Sequence, residues 1–151
     1  MRHADVRGYS YSRGDVTAKA LANAYSQALG NIFTEGIKPF EVEVLVVEVA
    51  EPAEGKNELY HILYDGTVMD EEGSTVLGGQ AEEIAEAMES RFSTEMDSAA
   101  AIRLGAAVLA GPDTVLTADQ LVVALLDRRR ARRAFRRIQG DELVAILEAG
   151  G

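Results

Sequence analysis

The sequence contains no cysteine, which excludes disulfides, thiolate nucleophiles and thiolate zinc sites together. Histidine is almost as scarce. His3 and His61 are the only two, too few and too far apart in sequence for a histidine-based metal motif, and neither sits in a recognisable serine-triad motif. His61 reads as a strand residue and His3 as an exposed terminal one. No apolar run approaches the ~20 residues of a membrane span, and the opening MRHADVRGYS lacks the apolar centre of a signal peptide. No cofactor, metal or membrane partner is therefore expected, and a cytoplasmic location is.

Basic charge is also in short supply. Against 25 Asp and Glu the chain has 15 Lys and Arg, for a net charge of -10. Seven of those 15 are Arg128, Arg129, Arg130, Arg132, Arg133, Arg136 and Arg137, which leaves eight basic residues for everything else. A body so acidic repels a polyanion, and phosphate-binding domains spread their cations over a face rather than confining them to one segment. The run is preceded by the apolar LVVALL at 121–126. Within it, Ala134, Arg136 and Ile138 alternate with Arg133, Phe135 and Arg137. That pattern predicts a tight turn between two strands, solvated or meeting an acidic partner, and no nucleic-acid site.

What remains is a chain of one domain's length, 151 residues with 47% hydrophobic content, enough for a sizeable core. Leu21, Ala24, Tyr25, Ala28, Leu29, Ile32 and Phe33 form a stripe at helical spacing over 17–33, with Asp15 or Thr17 to cap it and Gly36 and Pro39 to stop it. FEVEVLVVEVA at 40–50 begins as an alternating strand. From Leu45 both faces are apolar, because Leu45, Val47 and Val49 join Val42, Val44 and Val46, so layers above and below it are expected. ELYHILY at 58–64 is a second strand, closed by the hairpin signal Asp65-Gly66. Val68 and Met69 start the return strand, interrupted by Asp70-Glu71-Glu72 before 74–77. Helices follow over 81–92 and 98–109, the second rich in alanine and suited to lying close against a sheet. Gly111-Pro112 ends it, the two late strands follow, and a short helix starts at Asp141. Strands and helices in separate blocks indicate the α+β class with antiparallel sheets.

Motifs with a possible chemical meaning have plainer readings. Gly78-Gly79 precedes a helix, as a phosphate loop would, but Glu82, Glu83 and Glu86 follow. Those carboxylates complement the helix dipole themselves and repel phosphate, so the glycines read as a tight turn. Arg13-Gly14-Asp15 reads as a turn and a helix cap. No active site emerges.

Five segments in order, RGYSYSRGDVTAKALANAYSQALGNIF, KPFEVEVLVVEV, ELYHILYDGTV, GGQAEEIAEAM and RRAFRRIQGDELVAIL, together resemble the α-type subunit of the 20S proteasome in its actinobacterial form. The resemblance runs over essentially all of residues 1–151. It implies a single domain with the N-terminal nucleophile hydrolase, or proteasome-like, fold: a four-layer αββα sandwich of two antiparallel sheets. It also implies a non-catalytic role. Seven α subunits form the outer ring that controls substrate entry, the partners are other α subunits and β subunits and, indirectly, an ATPase activator, and proteolysis belongs to the β subunit. In the same comparison Met1 aligns late in the family's first long helix. The sandwich is thus expected to be incomplete at the N-terminus, without the gating tail, the first strands and most of that helix, so no gating or activator-binding residue carries over. The turn-forming Arg7, Gly8, Tyr9, Tyr11 and Asp15 are expected at a subunit interface, towards the β ring.

Two other readings stay open on the residues alone. A self-standing amidohydrolase of the same fold would need a terminal Thr, Ser or Cys nucleophile. A small interaction protein would use the arginine turn to hold an acidic partner.

Overall fold

The computed structural model describes residues 16–36, 41–51, 55–130 and 133–150. Their contacts gather in two compact units, Met1–Glu72 and Gly73–Gly151.

The first described element of the first unit is helix α1, Ala18–Glu35. The Thr17 hydroxyl accepts the Ala20 amide at 3.1 Å, and the Glu48 carboxylate accepts the Ala18 amide at 2.7 Å. Two of the orphan donors of the first turn are thereby satisfied, one locally and one from the sheet. Strands β1 (Val44–Glu48), β2 (Glu58–Ile62) and β3 (Val68–Asp70) form an antiparallel sheet with β2 in the middle. Val46 lies opposite Tyr60 and Val44 opposite Ile62. These side chains share the face covered by α1, whose Ala18, Ala22 and Leu29 complete the buried cluster. The two alanines let the helix backbone approach, and Ile62, with no exposed surface, contributes roughly 1.5–3 kcal/mol through its burial.

The second unit holds α2 (Ala81–Glu89), α3 (Ser98–Ala110), a 3-10 turn (Ala118–Gln120), β4 (Val123–Leu126), β5 (Phe135–Ile138) and α4 (Asp141–Glu148). The Asp97 carboxylate caps α3 by accepting the Ala100 amide at 2.7 Å. Its helix neighbours are α2 and α4. Leu104, Val108, Ile138 and Leu143 are the buried apolar side chains of this unit. Strands β4 and β5 pair antiparallel, Val123 opposite Ile138 and Leu126 opposite Phe135.

The element order and the antiparallel α+β character are those read from the sequence. Of the boundaries that differ, three have a local cause. Strand β1 covers only Val44–Glu48 of the expected 40–50, because its ladder is limited to the five residues of β2; residue 40 itself lies outside the described residues. Residues 74–77 form no strand, since Gly73 turns the chain with φ of 79° just after β3. Helix α2 stops at Glu89, and Phe92 closes a turn on the Met88 carbonyl at 2.8 Å.

Candidate functional site

In the first unit the β2–β3 turn is anchored on α1. Gly66 has φ of 90°, and a β-carbon there would lie 2.6 Å from the Ser26 carbonyl oxygen and 2.9 Å from the Gly30 nitrogen. Glycine is required at this position both for its backbone and for the space. The Ser26 hydroxyl donates to the Gly66 carbonyl, and Phe33 meets Tyr64 edge to face at 5.7 Å. The Asp65 carboxylate accepts the Thr67 amide at 2.9 Å, a bond that holds Asp65 below the usual carboxylate range.

One face of the three-stranded sheet is covered by α1, and no other described element of this unit packs on the opposite face. Leu45 and Val47 remain 41% and 47% exposed there. On that face His61 is buried, at 5% exposure. Its Nε2 lies 2.5 Å from the Glu43 carboxylate and its Nδ1 3.5 Å from that of Glu71. The two nitrogens address different carboxylates, so the three side chains have no common centre. Among the described residues no group of three His, Cys, Asp or Glu is placed to hold a metal ion. A polar hollow of about 850 Å³ opens on the α1 side, lined by Thr17, Lys19, Glu48, Lys56, Tyr60 and Asp70 among others. Burial, then the neighbouring Glu58, pushes the Tyr60 phenol up. This keeps the phenol neutral. At its margin Lys56 pairs with Glu72, an exposed contact of little energetic weight.

In the second unit Arg128, Arg129 and Arg130 of the arginine run lie in a turn after β4. The Asp127 amide donates to the Ala134 carbonyl at 2.9 Å and the Arg130 amide to the Asp127 carbonyl at 3.0 Å. Arg129 grips the Asp127 carboxylate in a fork, Nε at 3.0 Å and Nη2 at 3.1 Å. That grip depresses Asp127 and raises Arg129. Arg136 turns to the α4 side and pairs with Glu142 at 2.9 Å. Phe135 stays 58% exposed on the opposite side of β5, and Val122, just before β4, 86%. Gly78, with φ of 122°, makes the tight turn before α2, whose first turn carries Glu82 and Glu83. A largely apolar hollow of about 580 Å³ lies along α3, lined by Arg91, Met96, Arg103, Leu104, Leu116 and Leu147 among others. Arg103 also donates to the Ile146 carbonyl at 3.3 Å. Neither unit brings a nucleophile, a base and an orienting group together among the described residues.

The sequence matches the family described as "Proteasome subunit" over residues 2–126. The chain belongs to the proteasome subunit family. Among the curated proteins it is similar to "Proteasome subunit alpha" of Geodermatophilus obscurus, 48% identical over 98% of this chain and 55% of that protein. The protein of the same name in Saccharopolyspora erythraea is 50% identical over 97% of this chain and 58% of its own length. That of Kineococcus radiotolerans is 45% identical over 100% of this chain and 67% of its own length. The chain thus spans just over half the length of the first two of these proteasome α relatives.

The proteasome-family interface expected at Arg7, Gly8, Tyr9, Tyr11 and Asp15 lies outside the described residues. The cluster that sequence reasoning missed is His61 with Glu43 and Glu71. The signal for it was available in outline: alternation puts Glu43 and Leu45 on one face of β1, and His61 occupies the alternating position of β2. Among the described residues no helix is long and apolar enough to cross a membrane.

Proposed function

We propose that this chain is the body of the α-type, non-catalytic subunit of a bacterial 20S proteasome. Its place is the outer heptameric ring, which controls entry of substrate to the proteolytic chamber, and peptide-bond hydrolysis belongs to the β subunits. The supporting observation is identity of 45–50% with proteins called "Proteasome subunit alpha", across 97–100% of the chain. The location is cytoplasmic, and an ATPase activator is an indirect partner. On this reading the chain is a single domain built as the four-layer αββα sandwich. Consistent with that, the first sheet has one face covered by a helix and an open face carrying Leu45 and Val47, and β4–β5 leaves Phe135 and Val122 exposed. Arg7, Gly8, Tyr9, Tyr11 and Asp15 face the β ring.

The test is co-purification of the chain with a matching tagged β-type subunit, read by native mass spectrometry and by turnover of a fluorogenic peptide. Complexes containing seven-fold sets of both chains are expected, with turnover abolished by substitution in the β chain and insensitive to loss of any Ser or Thr hydroxyl in this one. A chain that elutes alone beside β particles overturns the assignment. The double variant Tyr9→Ala, Tyr11→Ala addresses the interface separately: unchanged assembly removes those tyrosines from it.

A further inference from the structure

The hollow along α3 lies wholly in the second unit, and its lining departs from the rest of the chain in charge. In a sequence with 25 Asp and Glu, no carboxylate lines it; its charged side chains are Arg91 and Arg103. Among the described residues neither guanidinium meets a carboxylate within ion-pair distance. Arg91 is exposed, just beyond α2, whereas Arg103 is half-buried on α3. Arg103 is also held in place. Its Nη1 donates to the Ile146 carbonyl of α4 at 3.3 Å, and its side chain passes Gly150, where a β-carbon would lie 2.6 Å from Cδ and 3.0 Å from Nε. A guanidinium has five N–H donors, so the bond to Ile146 leaves others for a further acceptor. The remaining wall is mainly apolar, with Leu104, Ala107, Leu116 and Leu147 among it.

We propose that this hollow is a binding site for a small amphipathic carboxylate, an acid with an apolar tail. Its volume of about 580 Å³ falls in the ~300–1,000 Å³ range of small-molecule sites, which combine an apolar wall with a few placed polar groups. The tail takes the place of water against the leucine and alanine wall. The carboxylate accepts charge-assisted hydrogen bonds from the pre-positioned Arg103, and Arg91 adds a second, more exposed cation. Both parts of the ligand are required by the lining. A cationic head would be repelled by two arginines, a neutral one would leave their charge unused, and a bare inorganic anion would gain nothing from the apolar wall. The inference uses the second unit alone and is independent of the proposed assembly.

The experiment is calorimetric titration of the full chain with octanoate, octan-1-ol and octylamine at neutral pH. Octanoate should bind saturably and about tenfold or more tightly than octan-1-ol, the effect of one hydrogen bond to a charged group, and octylamine more weakly than either. Arg103→Gln should lower octanoate affinity about tenfold and leave octan-1-ol unchanged. Arg91→Gln should lower it a few-fold, as expected of an exposed charge. Because Arg103→Gln also removes a bond to α4, Ala107→Phe gives a reading that does not depend on it. Residue 107 lines the hollow but is exposed, so the larger side chain fills the space at little cost to folding and should weaken octanoate and octan-1-ol alike. Val47→Ser, on the exposed sheet face of the first unit, should change nothing. Absence of saturable octanoate binding, octan-1-ol bound as tightly as octanoate, or an octanoate affinity lowered by Val47→Ser but not by Ala107→Phe and Arg91→Gln overturns the proposal.

Discussion

At the scale of single residues, Gly66 and Gly55 make a controlled pair. Both have positive φ, 90° and 83°, but a β-carbon at Gly66 meets the backbone of Ser26 and Gly30 whereas at Gly55 it meets nothing within 4 Å. Gly55→Ala should cost roughly 1 kcal/mol through backbone strain alone. Gly66→Ala should cost roughly 2–4 kcal/mol, because helix and turn must also separate. Urea midpoints of the two variants measure the difference, and equal midpoints would show that the turn does not rest on α1. Asp65 supplies a pH test. Its carboxyl is held down by the Thr67 amide, so the folded value lies below the unfolded one. The stabilisation is complete above the ordinary carboxylate range and disappears as pH falls through the folded value. Asp65→Asn should therefore reduce the slope of acid destabilisation below about pH 4, measured by melting temperature against pH. The Asp65-Gly66 turn was legible because its chemistry is local. The carboxylates around His61 were not, because only the strand register, His61 opposite both Leu45 and Met69, brings them to the same ring.

At the scale of elements, α1 was the most legible piece: its stripe, its Thr17 cap and its stop at Gly36 all lie within one stretch of chain. Thr17→Ala should cost about 1 kcal/mol, and less if Glu48, already bonded to the Ala18 amide, reaches a further amide. Helicity by circular dichroism together with a urea titration would detect it. Strand length was poorly legible for the opposite reason. Apolar character runs beyond β1, yet a strand ends where its partner ends, and β2 stops at Ile62, before the Asp65-Gly66 turn elsewhere in the sequence. The doubly apolar stretch of β1 still carried information. Val46 is buried under α1, and Leu45 and Val47 mark the face that α1 does not reach.

At the scale of the whole molecule, that open face governs behaviour in solution. Each ~100 Å² of apolar surface left in water forgoes ~2.5 kcal/mol, against a stability of ~5–15 kcal/mol for a typical domain. Edges unpaired among the described residues, such as that of β1, also invite pairing with other chains. The chain on its own is expected to scatter light and melt without a sharp transition. Val47→Lys should reduce self-association of the chain with little loss of stability and, on the proposed α-type reading, should impair assembly with β subunits if assembly covers this face. A monodisperse, cooperatively melting wild-type chain would show that residues 1–151 are sufficient by themselves.

The arginine turn gives the molecule a built-in reporter. Trypsin cuts after lysine and arginine, and in a chain of 15 such residues, seven fall within one ten-residue segment, with Arg128, Arg129 and Arg130 exposed at its tip. A brief native digest is thus directed to the link between β4 and β5. Those strands are held by their own antiparallel ladder, so the large N-terminal and short C-terminal fragments stay together until denaturant releases them. The rate at which the two fragments appear on a denaturing gel then gives a footprint of this turn: fast while solvent reaches it, slow once a neighbouring subunit covers it.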